Sequence, residues 1–529
     1  MQRLRVCLSF LFAWSAFGQL TPDQRVSDFL HLAGIYAKQY GPYEWKRETQ
    51  NFDLLNTGPW VERVRNAPND LEFYEAIVEY VASLNDAHAA YQIPSTFQAR
   101  LNFAVDLYDG KALVDFINRA RLPASEFPFQ IGYELVSIDG VPVETLITQL
   151  TKYSIAANTR STRRFAANYL TIRPQALMPH ATSVGDVARV IMRRLDGGLE
   201  TYVIPWTKTG LPLVANGPVP TPSGFAAAGR RPAESSDWRA VLQDLQHCEI
   251  APRAIIGFGS RTPIFAPPAG FEQRLGRNLT DFFYSGTFRA GGLRIGFLRI
   301  PSYSPPDFNA AINQIATEVA FFQANTDGLI IDDMHNPGGS VSAVNVFLQF
   351  LMPARFRTLG FELRATSDWV AAISSSLESA QAQGAEQWQI DLLGQIKNQI
   401  VEANASNRGR TGPIPLDDLT LDRDPIRDGQ GRLFSYSKPI MVLIDELSAS
   451  GGDMFPAAIQ DNGRGILFGQ RTMGAGGNVV GFLAGPYSEG FASVTQSLMN
   501  RKDNVVAPDF PASPYVENVG VRPDIEADS

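Results

Sequence analysis

The chain has 529 residues and a mass of 58.1 kDa, with 44% hydrophobic, 19% charged and 11% aromatic residues. That is material for about two to four domains with full cores, and it excludes a single small module, a disordered chain and a coiled coil. Lys plus Arg (46) against Asp plus Glu (54) leaves a net charge of −8, with no basic stripe for a phosphate backbone, so nucleic acid is not expected as a partner.

At the N-terminus, Arg3 and Arg5 precede an apolar run from Val6 to Gly18 that ends in small residues, the pattern of a secretory signal peptide over 1–18. The run is shorter than the roughly 20 apolar residues of a membrane span, and no later segment is long and apolar enough to be one. The mature chain is therefore expected to be secreted or periplasmic. Cys7 falls in the removed segment, which leaves Cys248 alone and rules out both an internal disulfide and a cysteine-based zinc site. Cys248 beside His247 does not make a thiol nucleophile, because adjacency in sequence is not the geometry of a dyad.

Residues 19–97 carry helical spacing in SDFLHLAGIYAKQY and DLEFYEAIVEYVASL, with Asn69 or Asp70 as cap of the second. From 98 to 210 the signal turns to short strands, FAVDLYD, KALVDFI and YELVSIDGVPV, the last folded over an Asp139-Gly140 turn. Residues 211–286 are rich in Pro, Gly, Ala and Ser and read as a long exposed connection or insertion, either lid or linker. The block 287–529 alternates LRIGFLRI, GLIIDDM, PIMVLIDE and GILFGQ with helical stretches, including an insertion of good helix formers over 367–405. Strands alternating with helices imply an α/β core.

The chain has no HExxH, no GxxxxGK[ST], no strand-borne GxGxxG and no GxSxG elbow, so zincins, P-loop enzymes and standard α/β-hydrolases lose support. The join IMVLIDELSASGGDMFPAAIQDNGRG runs a buried strand through a Ser/Gly turn into a helix. A serine there sits at the positive helix end, where free N–H groups stabilise an oxyanion. Ser450 to Asp453 also reads as a plain capping box. A serine nucleophile needs a base of near-neutral pKa, and five histidines exist: His31, His88, His180, His247 and His335.

SASGGD…AAIQDNGRG resembles the tail-specific, or C-terminal-processing, family of serine peptidases, in which the nucleophile lies eleven residues before the aspartate of QD; counting back from Asp461 gives Ser450 rather than Ser448. One branch of that family uses a lysine in a T-F-G-K-G turn. Here the turn is TMGAGG, with Ala475 at the lysine position and Lys502 outside it, so a Ser-Lys dyad is not expected. SLNDAHAAY resembles the L-x-D-x-H motif of the Ser-His-Glu branch and implies His88 as base, with His335 the second choice and better suited to ordering the glycine turn. YVENVGVRPDI resembles that branch's E-x-x-GV-x-PD signature and implies Glu517 as the acid, with Asp524 structural. HNPGGS resembles its glycine turn, with Met334 and Pro337 at variance, and implies an oxyanion donor at Gly338 or Gly339 paired with the N–H of Gly451. FQIGYELVSIDGVPV resembles the strand-turn-strand of a PDZ domain.

The resemblance implies an α/β multidomain fold: a crotonase-like peptidase core, a helical N-terminal region carrying the His motif, and a PDZ-like β-rich domain. It implies a serine endopeptidase acting on polypeptides through Ser450, His88 and Glu517, with neither metal nor organic cofactor. In chlamydial members of the branch an inserted segment blocks the active site until it is cut, and the enzyme is a homodimer; residues 211–286 occupy a comparable place, so latency and a homodimer are expectations. Two readings compete: a non-catalytic binder of peptides or hydrophobic ligands on the same fold, and a PDZ-centred scaffold that captures peptide C-termini. Convergence of His88 and Glu517 on Ser450 separates the peptidase from both.

Overall fold

The computed structural model describes residues 19–215, 237–250 and 257–527; the expected signal peptide lies outside them. Four helices, Pro22–Gln39, Tyr43–Gln50, Gly58–Arg65 and Asp70–Ala82, open the chain. Thr21 and Gln24 close a capping box on the first, and the Asn69 side chain accepts the Glu72 N–H at the start of the fourth, so Asn69 is its cap. Phe29, Leu32 and Tyr36 of the first bury against Phe73, Ile77 and Tyr80 of the fourth. The buried Arg25–Asp70 ion pair, 3.0 Å, ties the two together.

An antiparallel sheet follows, in the spatial order Phe103–Tyr108, Lys111–Ile117, Glu134–Ile138, Val187–Arg193, Leu199–Pro205. Asp139 and Gly140, both at positive φ (51° and 79°), turn Glu134–Ile138 back onto Val141–Pro142, as a two-residue hairpin requires. The helices Val143–Leu150 and Thr159–Asn168 pack beside this sheet, and the second carries Arg164 toward the peptidase core.

The core is a seven-stranded sheet ordered Glu272–Gln273, Tyr284–Ala290, Leu293–Arg299, Gly328–Asp332, Ile440–Ile444, Ile466–Gly469, Ile525–Glu526. From Leu293–Arg299 onward every pairing is parallel. Parallel strands lie under helices on both faces, hence their near-continuous apolar sequences. The crossover helix Phe308–Asn325, capped by Asp307, joins the first two parallel strands. Helices Val341–Leu351 and Gly451–Asp461 start directly after the glycine turn and the serine turn, so both turns sit at strand-to-helix junctions on one edge of the core. Helices Ser367–Ala382 and Gln387–Ala405 pack as an antiparallel pair within the insertion.

The described residues 237–250 and 257–286 depart from the exposed connection that the composition of 211–286 suggests. Trp238, Val241, Leu245, Cys248, Ile250 and Phe283 are buried, Arg239–Gln246 is helical, and His247–Glu249 is a strand. The spacing of Trp238, Val241, Leu242 and Leu245 is that of one helix face, and this short amphipathic stretch is diluted by the Pro- and Ser-rich residues around it.

Candidate active site

Ser450 closes the turn after Ile440–Ile444 with φ 60° and ψ −109°, a strained setting for a residue bearing a Cβ. The turn is held from both sides: Asp453 accepts the Ser450 N–H (2.7 Å), and Ala449 N donates to Asn336 O (2.8 Å). The capping box read from Ser450 to Asp453 is present. Asp453 caps the Ser450 backbone, but the Ser450 hydroxyl lies 2.8 Å from His88 Nε2, joining residues 362 positions apart. Asp453 also accepts the N–H groups of Gly474 (2.8 Å) and Ala475 (3.0 Å), so the turn that carries lysine in other family members is locked here with alanine facing the serine helix. Burial pushes the Asp453 carboxyl up to about 6 against these hydrogen bonds.

His88 leaves the fourth helix through a tight Asx turn, in which Asp86 Oδ1 accepts the His88 N–H (2.8 Å). Asp86 Oδ2 in turn accepts Tyr40 Oη (2.9 Å) and Thr495 Oγ1 (2.8 Å). The following strand, Ala90–Gln92, pairs with Phe491–Thr495 of the peptidase block, so the helical region delivers its histidine by being built into the C-terminal fold. His88 is 3% exposed, and burial lowers its pKa to about 4; the Asp86 charge opposes this, while His247 and Lys46 add to it.

The placement of Glu517 corrects the expected triad geometry. One oxygen is bound by Lys46 Nζ and the other accepts the Gly476 N–H (2.9 Å), so neither hydrogen-bonds His88. His88 Nδ1 has no hydrogen-bond partner among the described residues. The fully buried Lys46 also donates to Asn85 O (2.8 Å) and Asn518 Oδ1 (2.7 Å). Burial, reinforced by the Asp86 charge, raises Glu517 to about 7 despite Lys46. His88 and Glu517 thus share two charged neighbours, Asp86 and Lys46. Lys46 is not singled out by sequence reasoning, and Asp86 enters it only as the aspartate of the L-x-D-x-H motif, without a role of its own. Asp524 accepts Leu467 N (2.8 Å) and Gln460 Nε2 (3.1 Å) at the far strand and is structural.

At the glycine turn the two candidate N–H groups are held differently. Gly338 N–H is engaged by Asn336 Oδ1 (2.9 Å), which removes Gly338 as the free donor. Gly451 N–H opens the serine helix with no partner among the described residues. The strand His247–Glu249 pairs antiparallel with Gly338–Ser340, Cys248 opposite Gly339. Since Ile250 N donates to Pro337 O (2.9 Å), the alternation of an antiparallel ladder makes Cys248 and Gly339 a hydrogen-bonded pair, with Gly339 N–H on Cys248 O. Cys248 is buried without a charged neighbour, and its thiol is pushed up well above the usual range, so it is no nucleophile.

His335 orders this turn, at φ 55°. Its Nδ1 lies 2.6 Å from Asp445, its N–H donates to the same carboxylate (2.9 Å), and Arg164 from the antiparallel-sheet domain approaches its Nε2 at 3.2 Å. Burial alone would lower the imidazole's pKa; Asp445 outweighs it, and the pKa is raised. Arg164 also pairs with Asp106 (2.8 Å) and Asp445 (3.2 Å), so a buried ionic cluster joins the two domains directly behind the glycine turn. Among the described residues no group of three or more His, Cys, Asp or Glu is placed to hold a metal ion, and no helix is long and apolar enough to cross a membrane.

A strained serine beside a histidine at a helix N-terminus defines a class, and the comparisons agree with it. Residues 294–527 match Peptidase family S41, and residues 98–211 match a PDZ domain. The chain thus carries a tail-specific peptidase domain of family S41 and is a serine peptidase, with a PDZ domain and a helical N-terminal region. Proteins of Chlamydia pneumoniae and of Chlamydia trachomatis serovar D are each 25% identical to it, over 98% and 95% of this chain and 89% and 88% of their own lengths. In fold it is similar to mature CPAF complexed with lactacystin, with a TM-score of 0.75 at 22% identity over 96% of this chain and 94% of that one.

Proposed function

We propose that this serine peptidase is an endopeptidase in which Ser450 Oγ attacks the peptide carbonyl and His88 Nε2 takes its proton, later returning it to the leaving amine. The observation that carries the reading is the 2.8 Å approach of His88 Nε2 to Ser450 Oγ. The N–H groups of Gly339 and Gly451 receive the oxyanion. Glu517 is the acid that the family resemblance implies, and in the intact chain it is held by Lys46 and the Gly476 N–H instead of by a direct bond to the imidazole. The N-terminal pattern over 1–18 supports a secreted or periplasmic enzyme, and the resemblance to chlamydial members supports a homodimer.

The intact chain is latent. His247–Glu249 takes the backbone positions on Gly338–Ser340 that an extended substrate needs, so catalysis waits on a cut within 211–286. The test is fluorophosphonate labelling of the full-length chain before and after limited proteolysis, with the modified residue mapped by mass spectrometry. Labelling at Ser450 that is slow at first and at least tenfold faster once 211–286 is cut is expected. Equal rates before and after would remove latency, and absence of label in both would remove Ser450 as nucleophile.

The pKa of His88 fixes the acid limb. Only the neutral imidazole accepts the serine proton, so in the uncut chain the rate of Ser450 labelling should stay level as pH falls through 6.5 and drop only through about 4. An acid limb centred at 6.5 in those labelling rates would contradict the burial argued for this base.

A further inference from the structure

The strand in the cleft also carries information on what the cleft accepts. A Cβ built on Gly338 would lie 2.3 Å from Cys248 O, 2.7 Å from Gly451 N and 2.8 Å from Ser450 Cβ. The Cys248 carbonyl oxygen, the free helix N–H and the serine side chain therefore crowd one point, and the Gly339 N–H reaches the same oxygen through the ladder. Among the described residues of the segment, the Cys248 carbonyl is the one that comes up beside the serine turn, paired with Gly339 through the ladder and short of a hydrogen bond to Gly451 N–H. The antiparallel direction fixes the rest: Cys248 takes the acyl side of the bond presented to Ser450, and Glu249 the amine side.

Alternate side chains of an extended segment point the same way, and here the inward ones are Cys248 and Ile250. Cys248 is 0% exposed within the core cluster that includes Tyr303, Val341 and Val480; its surroundings are apolar, as the upward shift of its thiol by burial alone agrees. Ile250 is 1% exposed in a separate cluster formed by Ala87, Leu447, Ala449, Met473 and Ala475. Those residues flank His88 and Ser450 and include the alanine at the lysine position of the related turn. Glu249 belongs to the other face, where its carboxylate accepts Ser304 Oγ (2.7 Å).

We infer that the enzyme prefers polypeptides with a small apolar residue before the cut bond, in the Cys248 place, and a branched aliphatic residue second after it, in the Ile250 place. This rests on Ser450 and His88 acting as proposed above. Ser450 Oγ forms a bond to the carbonyl carbon and its proton passes to His88. The C–N bond then breaks with that proton going to the leaving amine, and water releases the acyl group from Ser450 by the same path. A full side chain does not fit the space that Cys248 fills. A charged one in the Ile250 place would be buried without a partner, which costs far more than a lost apolar contact.

The test uses full-length wild type cut within 211–286 and the full-length Ile250→Asp chain, whose own strand no longer seats in the apolar cluster. Both are given a peptide library and the synthetic peptide LQDLQHCEIAP. Ser450 labelling is scored in the same preparations. Cleavage of the peptide between its Cys and Glu is expected, with kcat/KM falling on the order of tenfold or more when its Ile becomes Asp or its Cys becomes Trp. Library cuts should be enriched for Ala, Cys or Val before the bond and Ile, Leu or Val second after it. A chain that labels at Ser450 yet cuts elsewhere, or without these preferences, overturns this inference and leaves the catalytic assignment standing. A chain that neither labels nor cuts overturns both.

Discussion

Replacing Ser450 by alanine is expected to lower kcat/KM for peptide hydrolysis by on the order of 10⁴-fold or more, with the fold intact. The hydroxyl is fully buried and its partner in the structure is His88 Nε2, while the backbone of the turn is held independently by Asp453 and Asn336. Thermal unfolding should therefore move by only a few degrees. His88→Ala should cost a similar factor, because nucleophile and base act as a unit, and the double variant should be little worse than either single one. The Asp86 turn that carries His88 keeps its bonds to Tyr40 and Thr495 in that variant, which makes lost activity a report on the imidazole. Initial rates on one peptide for the four proteins, alongside their melting temperatures, decide the matter. Full activity in pure Ser450→Ala, or two single losses that multiply in the double variant, would remove the paired mechanism.

The parts of this site legible in the sequence are those fixed by local geometry. A serine at a strand-to-helix turn, a glycine pair at another, and an Asp-x-His turn each need particular residue types within a few positions. Their convergence follows from the resemblance to one family, and the 2.8 Å between His88 and Ser450 agrees with it. What escapes is set by packing across the whole chain. Lys46 lies in a short helix whose sequence, YEWKRETQ, reads as a solvated face, yet it is fully buried against a glutamate 471 positions away. Its ammonium takes the oxygen of Glu517 that a simple triad would give to the imidazole. The donor at the glycine turn could not be chosen from sequence either, because only the side-chain bond from Asn336 decides that Gly338 is occupied. In the fold, the alternation of strands with helices and the helical insertion follow from periodicity. The buried strand inside a Pro- and Ser-rich segment does not, since its partner, Gly338–Ser340, is about ninety residues away in the chain.

Gly339→Ala should be the second most damaging single change, lowering kcat/KM by on the order of 10²- to 10³-fold, the range seen when one oxyanion donor is lost. Gly339 has φ 144°, and an added Cβ would lie 2.2 Å from Tyr303 C, 2.5 Å from Tyr303 O and 2.6 Å from Ser304 N, all backbone atoms. No rotamer relieves that contact, and the two segments are pinned together by Tyr303 N on Gly338 O (2.6 Å) and Ser340 N on Tyr303 O (2.9 Å). The turn must therefore shift as a body, carrying the Gly339 N–H away from the point it shares with Gly451 N–H. Backbone strain alone would produce a stability loss, so the control is Gly431→Ala, at φ 79° with nothing within 4 Å of its Cβ. That variant should lose about 1 kcal/mol of stability and keep its activity. The ionic cluster behind the turn sharpens the comparison, because Asp445 and Arg164 hold His335 four residues before Gly339 and resist any shift that starts from the glycines. Strain relieved at Gly339 then falls on the catalytic side of the turn, where it appears as a fall in kcat at nearly constant KM. A Gly339→Ala chain with wild-type kcat, beside a correctly behaving Gly431→Ala, would move the oxyanion donor away from this strand.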